Sequence, residues 1–195
     1  MQKGVKGLYE KIQKLLTELI PESWKEIYLY ASSVRGRKGE MYFYYYQKKI
    51  IKTKPINCYE IAYKFGIDEE KYNEALAKLY DYIKQLNNYM NPKWTNITII
   101  IKNNVFSIQY NYNDLIHSKY SDDQRRILWG YKYLHIPLES MNVAERIFVE
   151  NYKPEPSLEP TVYSEPFYGS RRYKEEKKES TEDDENEVKN QILKH

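Results

Sequence analysis

Residues 91–137 read NPKWTNITIIIKNNVFSIQYNYNDLIHSKYSDDQRRILWGYKYLHIP, and the pattern of this stretch decides the fold of the chain. Residues 97–101 are almost entirely β-branched, and residues 106–112 alternate apolar or aromatic side chains with polar ones, which is the period of a half-buried strand. Residues 102–104 between them read Lys-Asn-Asn, and asparagine tolerates the positive φ angles that a tight hairpin turn requires. The stretch therefore predicts an antiparallel hairpin.

A helix is predicted directly after this hairpin. Ser121 and Gln124 have the spacing of a capping box, in which each side chain satisfies a backbone amide at the start of a helix. Asp122 and Asp123 lie between them, where negative charge favours the positive end of the helix dipole. A hairpin followed by a capped helix is a structural pattern, and it contains no catalytic motif.

The preceding part of the chain also predicts alternating helices and strands. An amphipathic N-terminal helix ends at Pro21, because proline cannot extend the helical hydrogen-bond ladder. Residues 24–34 and 41–46 predict two further antiparallel strands. The clearest helix follows Asp68, a predicted N-cap, and over residues 69–90 its apolar side chains recur three and four positions apart.

A last helix is predicted over residues 140–151, with Val143, Ile147 and Phe148 directed towards the core. The order of elements gives an α+β fold, in which an antiparallel sheet of hairpins packs against helices. We predict that this domain spans residues 1–151.

Residues 152–195 have a different composition. Glu-Pro dipeptides recur as far as Pro166, and over residues 174–187 almost every side chain is charged or polar. Such a segment buries too little apolar area to offset the entropy that is lost on ordering. The sequence therefore predicts a Pro/Glu/Lys-rich C-terminal tail that is disordered or becomes ordered only against a partner.

Composition limits the classes of protein to which the chain can belong. The net charge is +3, with the basic excess in the first 150 residues, but the positive side chains are scattered, which favours an ordinary solvated surface over a nucleic-acid interface. Cys58 is the only cysteine, so no internal disulfide can form. No apolar run approaches the ~20 residues that span a bilayer, and no leader pattern opens the chain, so we expect a cytoplasmic protein without membrane contact.

The sequence contains no recognisable catalytic or cofactor site. Three histidines, His117, His135 and His195, fit no nucleophile or metal-ligand pattern, since zinc requires about four ligands with paired spacing. The seven glycines occur singly, so no glycine-rich loop is available to hold phosphate. We therefore expect no enzyme, no bound metal and no cofactor.

A DNA-binding helix-turn-helix is one alternative. Residues 59–68 read YEIAYKFGID, with the small residue, the glycine turn and the following helix of that motif. The second helix would open with Asp68, Glu69 and Glu70, whose charge has the wrong sign for contact with phosphate. Its apolar stripe is also longer than a recognition helix needs, so we expect no nucleic-acid partner.

Several motifs resemble those of the YezG-like immunity proteins, in the same order along the chain. They are PESWxxIYLY at residues 21–30, PxWTN at residues 92–96, YNYND at residues 110–114 and RRxxWxYKY at residues 125–133. The resemblance covers roughly residues 5–150. Members of this family are antitoxins of secreted bacterial toxins, and they include an EsaG relative that neutralises a nuclease.

The resemblance implies that the chain binds and neutralises a cognate secreted toxin, with a nuclease of a type VII secretion system as the expected partner. Candidate toxin-binding side chains are Tyr42, Tyr44 and Tyr46, which alternate onto one sheet face, and Tyr112 and Asp114, where a strand meets a loop. An interaction module that retains the fold without a toxin is a further alternative.

Nuclease inhibitors are usually acidic, whereas the domain predicted here is basic. One hypothesis reconciles the two: acidic residues 175–187 would fold over the basic cleft of the toxin.

Overall fold

The computed structural model describes residues 3–34, 36, 39–48 and 54–167. The helices are α1 (Lys3–Glu18), α2 (Cys58–Phe65), α3 (Glu69–Gln85), α4 (Asp122–Tyr133) and α5 (Val143–Glu150). The strands are β1 (Trp24–Ser32), β2 (Met41–Gln47), β3 (Ile56–Asn57), β4 (Asn96–Lys102), β5 (Val105–Asn111) and β6 (Thr161–Pro166). The predicted α+β class is confirmed. Within these ranges, no helix combines the length and the apolarity that crossing a bilayer would require.

The strands form one antiparallel sheet in the order β3-β2-β1-β4-β5-β6. The predicted hairpins β1–β2 and β4–β5 are joined side by side, because β1 also pairs with β4 along its length. β3, a strand of two residues, forms one edge of the sheet. β6 forms the other edge and pairs with β5 from Val105 to Tyr110.

One face of the sheet is apolar and packs against α1. Its central side chains are less than 2% exposed: Ile27, Leu29, Ala31, Ile97, Ile99, Ile101, Phe106 and Ile108. Tyr9 reaches down from α1, and its hydroxyl lies 2.7 Å from the hydroxyl of Tyr110 on β5. α3 packs beside α1. Each buried side chain of isoleucine size stabilises the fold by about 1.5–3 kcal/mol, so this layer makes a large contribution to the stability of the fold.

The opposite face carries tyrosines and is covered in part by α4. Tyr30 on β1 and Tyr42 on β2 stack with ring centroids 5.0 Å apart, and Trp129 of α4 packs edge-on against both rings. The indole N–H of Trp129 donates to Thr98 Oγ1 on β4 at 3.0 Å. Trp129 therefore fixes α4 to three adjacent strands.

The local signals in the sequence predicted the turn and the caps correctly. Asn103 and Asn104 form the β4–β5 turn with φ angles of 52° and 58°. Ser121 and Gln124 form both hydrogen bonds of the capping box, and the Asp68 side chain accepts from the backbone at the start of α3.

The predicted orientation of the last helix was wrong for two of its three residues. Val143 is 66% exposed and Ile147 is 55% exposed, whereas Phe148 is half-buried and packs against Tyr120. The reason is the position of α5, an eight-residue helix that lies beside α4 and offers it only one narrow line of contact.

The chain after α5 also differs from the prediction of disorder from residue 152 onwards. Residues 152–167, called the C-terminal strap below, lie on the domain and end in β6. Composition missed this because the edge of β5 offers backbone partners, and Tyr163 stacks on Tyr9 of α1 at 4.9 Å. The remainder of the predicted tail, residues 168–195, lies outside the described residues.

Trp129 provides a test of how α4 is attached. We expect Trp129→Ala to lower the free energy of unfolding by about 3–5 kcal/mol, because the substitution leaves a cavity against three strands. Trp129→Phe keeps a ring but removes the donor to Thr98, and should cost about 1 kcal/mol from the lost hydrogen bond together with some lost packing. Urea denaturation followed by circular dichroism measures both values.

Tyr131→Ala is the matched control, because Tyr131 is an exposed aromatic residue of the same helix. It should change the free energy of unfolding by less than about 0.5 kcal/mol. Similar losses for Trp129→Ala and Tyr131→Ala would contradict the anchoring role of Trp129.

Candidate functional site

The three sheet tyrosines predicted to contact a partner lie on the face that α4 covers. Tyr42 is only 3% exposed, while Tyr44 and Tyr46 are half-buried. Tyr46 donates its hydroxyl hydrogen to the carbonyl of Leu134, just after α4, at 2.8 Å. Tyr42 is therefore too buried to contact a partner directly. Tyr44 and Tyr46 expose only part of their side chains, and only that part can contact a partner.

Beside them lies a surface that we call the tyrosine–arginine patch. Tyr44 and Tyr59 both interact with Arg126, and Tyr63 is included because it lies one helical turn beyond Tyr59 on α2. The guanidinium carbon of Arg126 lies 4.3 Å from the ring centroid of Tyr42. Burial is the largest single influence on the pKa of Arg126 and would lower it. The hydrogen bond to Tyr44 and the electrostatic influence of Tyr44, Tyr42 and Tyr59 together outweigh burial, so the pKa is raised and the side chain stays charged.

α2 supplies the most exposed part of this patch. Tyr59 and Tyr63 are four residues apart, so they project from the same side of the helix. Tyr59 is 60% exposed and donates to the carbonyl of Met41 at 2.7 Å, while Tyr63 is 96% exposed. Tyrosine and arginine are the side chains that most often dominate the energetics of protein–protein interfaces. The patch therefore has the composition of an interface centre.

Tyr112 and Asp114, the other two predicted contact residues, lie at the far end of β5. Tyr112 is half-buried and donates to Thr161 Oγ1 at 3.0 Å. Asp114 is exposed and accepts from the backbone amides of Ile116 and His117 at 3.0 Å each. The backbone hydrogen bond from His117 lowers the pKa of Asp114, so this carboxylate is a fixed negative charge on the surface.

A polar groove of about 360 Å³ separates α4 from the C-terminal strap. Asn96, Gln109 and Asn111 supply carboxamides from β4 and β5 to its floor, and Trp129 and Tyr133 supply aromatic rings from α4. Carboxamides can both donate and accept hydrogen bonds, so the floor suits a polar or main-chain ligand.

The strap forms the second wall of the groove, and hydrogen bonds of two side chains hold its first part, residues 153–155. Tyr120 donates its hydroxyl hydrogen to the carbonyl of Lys153 at 2.8 Å. Glu155 accepts from Ser118 Oγ at 2.7 Å and from the backbone amide of Lys119 at 2.9 Å. The hydrogen bond from Ser118 and then that from Lys119 lower the pKa of Glu155.

Neither wall nor floor carries a recognisable catalytic arrangement. In the parts of the chain that the structure describes, no three His, Cys, Asp or Glu side chains are grouped as metal ligands. His117 contacts Asp114 on the surface, at 2.8 Å between Nδ1 and Oδ2. Burial raises the pKa of the Cys58 thiol to about 11, so this cysteine is not a thiolate at neutral pH.

The geometry of α2 and α3 does not favour DNA binding. The inner side of α3 is buried, with Tyr72, Leu76, Leu79 and Ile83 in the core. At its N-terminal end the exposed residues include Glu69, Glu70 and Glu74. A recognition helix must place donors or positive charge at base edges and phosphates, and this exposed end of α3 carries negative charge instead.

Sequence reasoning missed Tyr59, Tyr63 and Arg126. Tyr59 and Tyr63 were read as part of a possible helix-turn-helix, and Arg126 only as part of a family motif. The i,i+4 spacing of the two tyrosines was a usable signal, but spacing alone does not show which side of a short helix stays exposed.

Comparison with known proteins gives a consistent family match. The family model described as "Immunity protein YezG-like" matches residues 5–148. The chain is 33% identical to the immunity protein YezG of Bacillus spizizenii over 150 residues, which cover 74% of this chain and 90% of that protein. It is 26% identical to the immunity protein YezG of Bacillus subtilis over 153 residues, which cover 76% and 98%. The family match ends within α5, so the C-terminal strap lies beyond it.

The attachment of the strap should depend on pH through Glu155. Its folded pKa lies below the unfolded value, so the contact stabilises the strap above the ordinary pKa of glutamate and is lost as the pH falls through the lowered value. We expect the Lys119 amide resonance in NMR spectra to shift across that acidic range. In Glu155→Gln this acid-range shift should disappear, and a titration that persists in the variant would contradict the assignment.

Proposed function

The chain belongs to the YezG-like family of immunity proteins, and from this premise we propose that it neutralises a cognate secreted bacterial toxin by binding it stoichiometrically. The observation that carries the proposal is the family match over residues 5–148, which spans β1 to β5 and the helices that pack on them. The protein would act in the cytoplasm of the producing cell, by covering the toxin's active site or holding the toxin inactive until secretion. Binding alone accounts for this role, without a catalytic step in the immunity protein.

We propose that the tyrosine–arginine patch is the centre of the toxin interface. Tyr63 and Tyr59 offer large exposed rings, and each side chain has only two rotatable bonds to the ring, so the area is buried at a modest cost in side-chain entropy. Arg126 adds a charge already oriented by its contacts with Tyr42 and Tyr44. Orientation before binding lowers the entropic cost of association.

The remaining predicted contacts belong to the same proposal in different roles. Tyr44 and Tyr46 would contribute their exposed edges, and Tyr42 would hold Arg126 from beneath. Tyr112 and Asp114 lie next to the polar groove, where Asp114 supplies a negative charge for a basic group at the rim of the interface. Charges at a rim affect the association rate and specificity more than the affinity.

We further propose that the toxin is a nuclease of a type VII secretion system, which follows from the family resemblance alone. A nuclease that binds phosphates presents a basic cleft, and acidic residues 175–187 of this chain have the charge to cover it. The structure alters how this hypothesis is tested, because residues 152–167 are part of the fold and the acidic segment must be removed without them.

Affinity capture of the tagged full-length protein from its own host should recover a large secreted protein with a C-terminal toxin domain. Expression of that toxin domain alone should arrest growth of a bacterial host, and co-expression of the immunity protein should restore it. Mass spectrometry and growth curves are the measurements. Recovery of DNA instead, or of a partner without toxicity, would replace the proposal by the DNA-binding or the toxin-independent interpretation.

Tyr63→Ala tests the centre of the interface. With 96% of Tyr63 exposed, its removal should leave folding unchanged, yet weaken the captured toxin's affinity by roughly 10-fold or more, as expected for an interface hot spot. Calorimetric titration gives the affinity, and Tyr131→Ala on α4 is the matched control. If Tyr63→Ala binds the toxin with unchanged affinity, α2 is not at the centre of the interface.

Deletion of residues 168–195 tests the acidic segment. We expect weaker toxin binding at low salt and a smaller difference at 0.5 M salt, where the Debye length falls to only about 4 Å. Neutralising the carboxylates of residues 175–187 to amides within the full-length chain should have the same effect. If the wild-type protein, the deletion variant and the neutralised variant bind the toxin with equal affinity at low salt, residues 175–187 are not part of the interface.

A further inference from the structure

β6 adds a strand that lies beyond the range of the family match. It pairs with six of the seven residues of β5, from Val105 opposite Pro166 to Tyr110 opposite Thr161. Without β6, the outer edge of β5 would present a row of unpaired backbone groups, which is an edge that accepts another strand. The chain therefore supplies its own partner for this edge.

Three side chains on alternate positions hold β6 and the residue after it in place. Tyr163 stacks on Tyr9 of α1 at 4.9 Å with an interplanar angle of 23°. Glu165 accepts from Gln13 Nε2 at 2.7 Å. Phe167 packs edge-on against Trp24 at 5.6 Å. The outer edge of β5 therefore favours a strand with an aromatic residue at the position of Tyr163, a hydrogen-bond acceptor at that of Glu165 and an aromatic residue at that of Phe167.

The attachment of β6 is local. On the face of β6 opposite to Tyr163 and Glu165, Val162, Ser164 and Pro166 are exposed, and Val162 is 61% exposed. Residues 152–160, which lead to β6, contain no helix or strand. Elements that bury little apolar surface open without unfolding the remainder of the protein.

We propose that the outer edge of β5 is a docking site for an extended segment of a partner protein, and that β6 is its exchangeable intramolecular occupant. The partner segment would pair with β5 as a strand and place an aromatic side chain on Tyr9 and a hydrogen-bond acceptor at Gln13. In this mode the main chain provides affinity and the alternate side chains provide specificity.

This inference goes beyond the immunity role, within which the toxin would be the source of the segment. A tethered strand has an effective concentration in the millimolar range, so β6 competes with any partner strand and sets a threshold for its binding. A partner segment must therefore bind tightly, or the partner must make additional contacts elsewhere, to displace β6 from the edge of β5.

A reversible covalent lock tests the exchange. Ser107 and Ser164 face each other across β5 and β6, with their hydroxyl oxygens 2.9 Å apart. This placement fits a disulfide in the variant Ser107→Cys/Ser164→Cys. Cys58 is buried and does not compete for oxidation. The oxidised variant holds β6 in place, and reduction releases it.

The probe is a fluorescein-labelled synthetic peptide of residues 158–167, LEPTVYSEPF, measured by fluorescence anisotropy. We expect saturable binding to the full-length variant Tyr163→Ala/Glu165→Ala, whose own β6 is weakened. Binding to the wild-type protein should be at least ~10-fold weaker because of intramolecular competition, and oxidised Ser107→Cys/Ser164→Cys should not bind. A control peptide with alanine at the positions of Tyr163 and Glu165 should bind none of the three proteins.

Hydrogen exchange of the wild-type protein gives a second test that needs no destabilised variant. Amides between β5 and β6 should exchange at least ~10-fold faster than those between β1 and β4, and the oxidised lock should remove much of that difference. Exchange of both sets of amides at one common rate would overturn the proposal. Binding of the peptide to the oxidised Ser107→Cys/Ser164→Cys protein would also overturn it. So would failure of the peptide to bind the variant Tyr163→Ala/Glu165→Ala when that variant is folded. Neither test uses a toxin, so a failed capture experiment and a failed exchange experiment are distinguishable.

Discussion

The pairing of β1 with β4 is the interaction on which the rest of this structure depends. It joins two hairpins that are distant in the sequence, and it aligns Ile27 with Ile101, Leu29 with Ile99 and Ala31 with Ile97. Side chains alternate between faces along a strand, so a slip of one residue would exchange the apolar face for the tyrosine face. The register therefore decides at once which side packs against α1 and which side accepts α4.

Tyrosine gives the second face its particular chemistry. A tyrosine ring can be buried while its hydroxyl finds a polar partner, as Tyr46 does at the carbonyl of Leu134 and Tyr120 at that of Lys153. Burial raises the pKa of Tyr42 and Tyr46 on this face, so both side chains remain neutral. The same residue type therefore serves the interior beneath α4 and the exposed surface of α2.

The C-terminal strap shows how a polar segment can be ordered by what surrounds it. Its proline-rich composition provides little reason to fold, yet β5 supplies backbone hydrogen bonds and α1 supplies Tyr9 and Gln13. The gain from these contacts offsets the entropy of ordering only because their partners are already fixed by the core. The strap also completes the polar groove, so a part of the chain beyond the family match shapes a surface of the family domain.

The sequence by itself determined the elements whose causes are local. Asn103 and Asn104 specify a turn, Ser121 and Gln124 specify a helix start, and the apolar spacing of α3 specifies its buried side, because each signal acts within a few residues. Only the tertiary structure decided which apolar residues stay exposed, how α2 and α4 combine into the tyrosine–arginine patch, and that residues 161–166 form a strand. These features depend on contacts between distant segments, such as Arg126 with Tyr42 and Tyr163 with Tyr9, and a local pattern does not encode the neighbour that the fold brings to it.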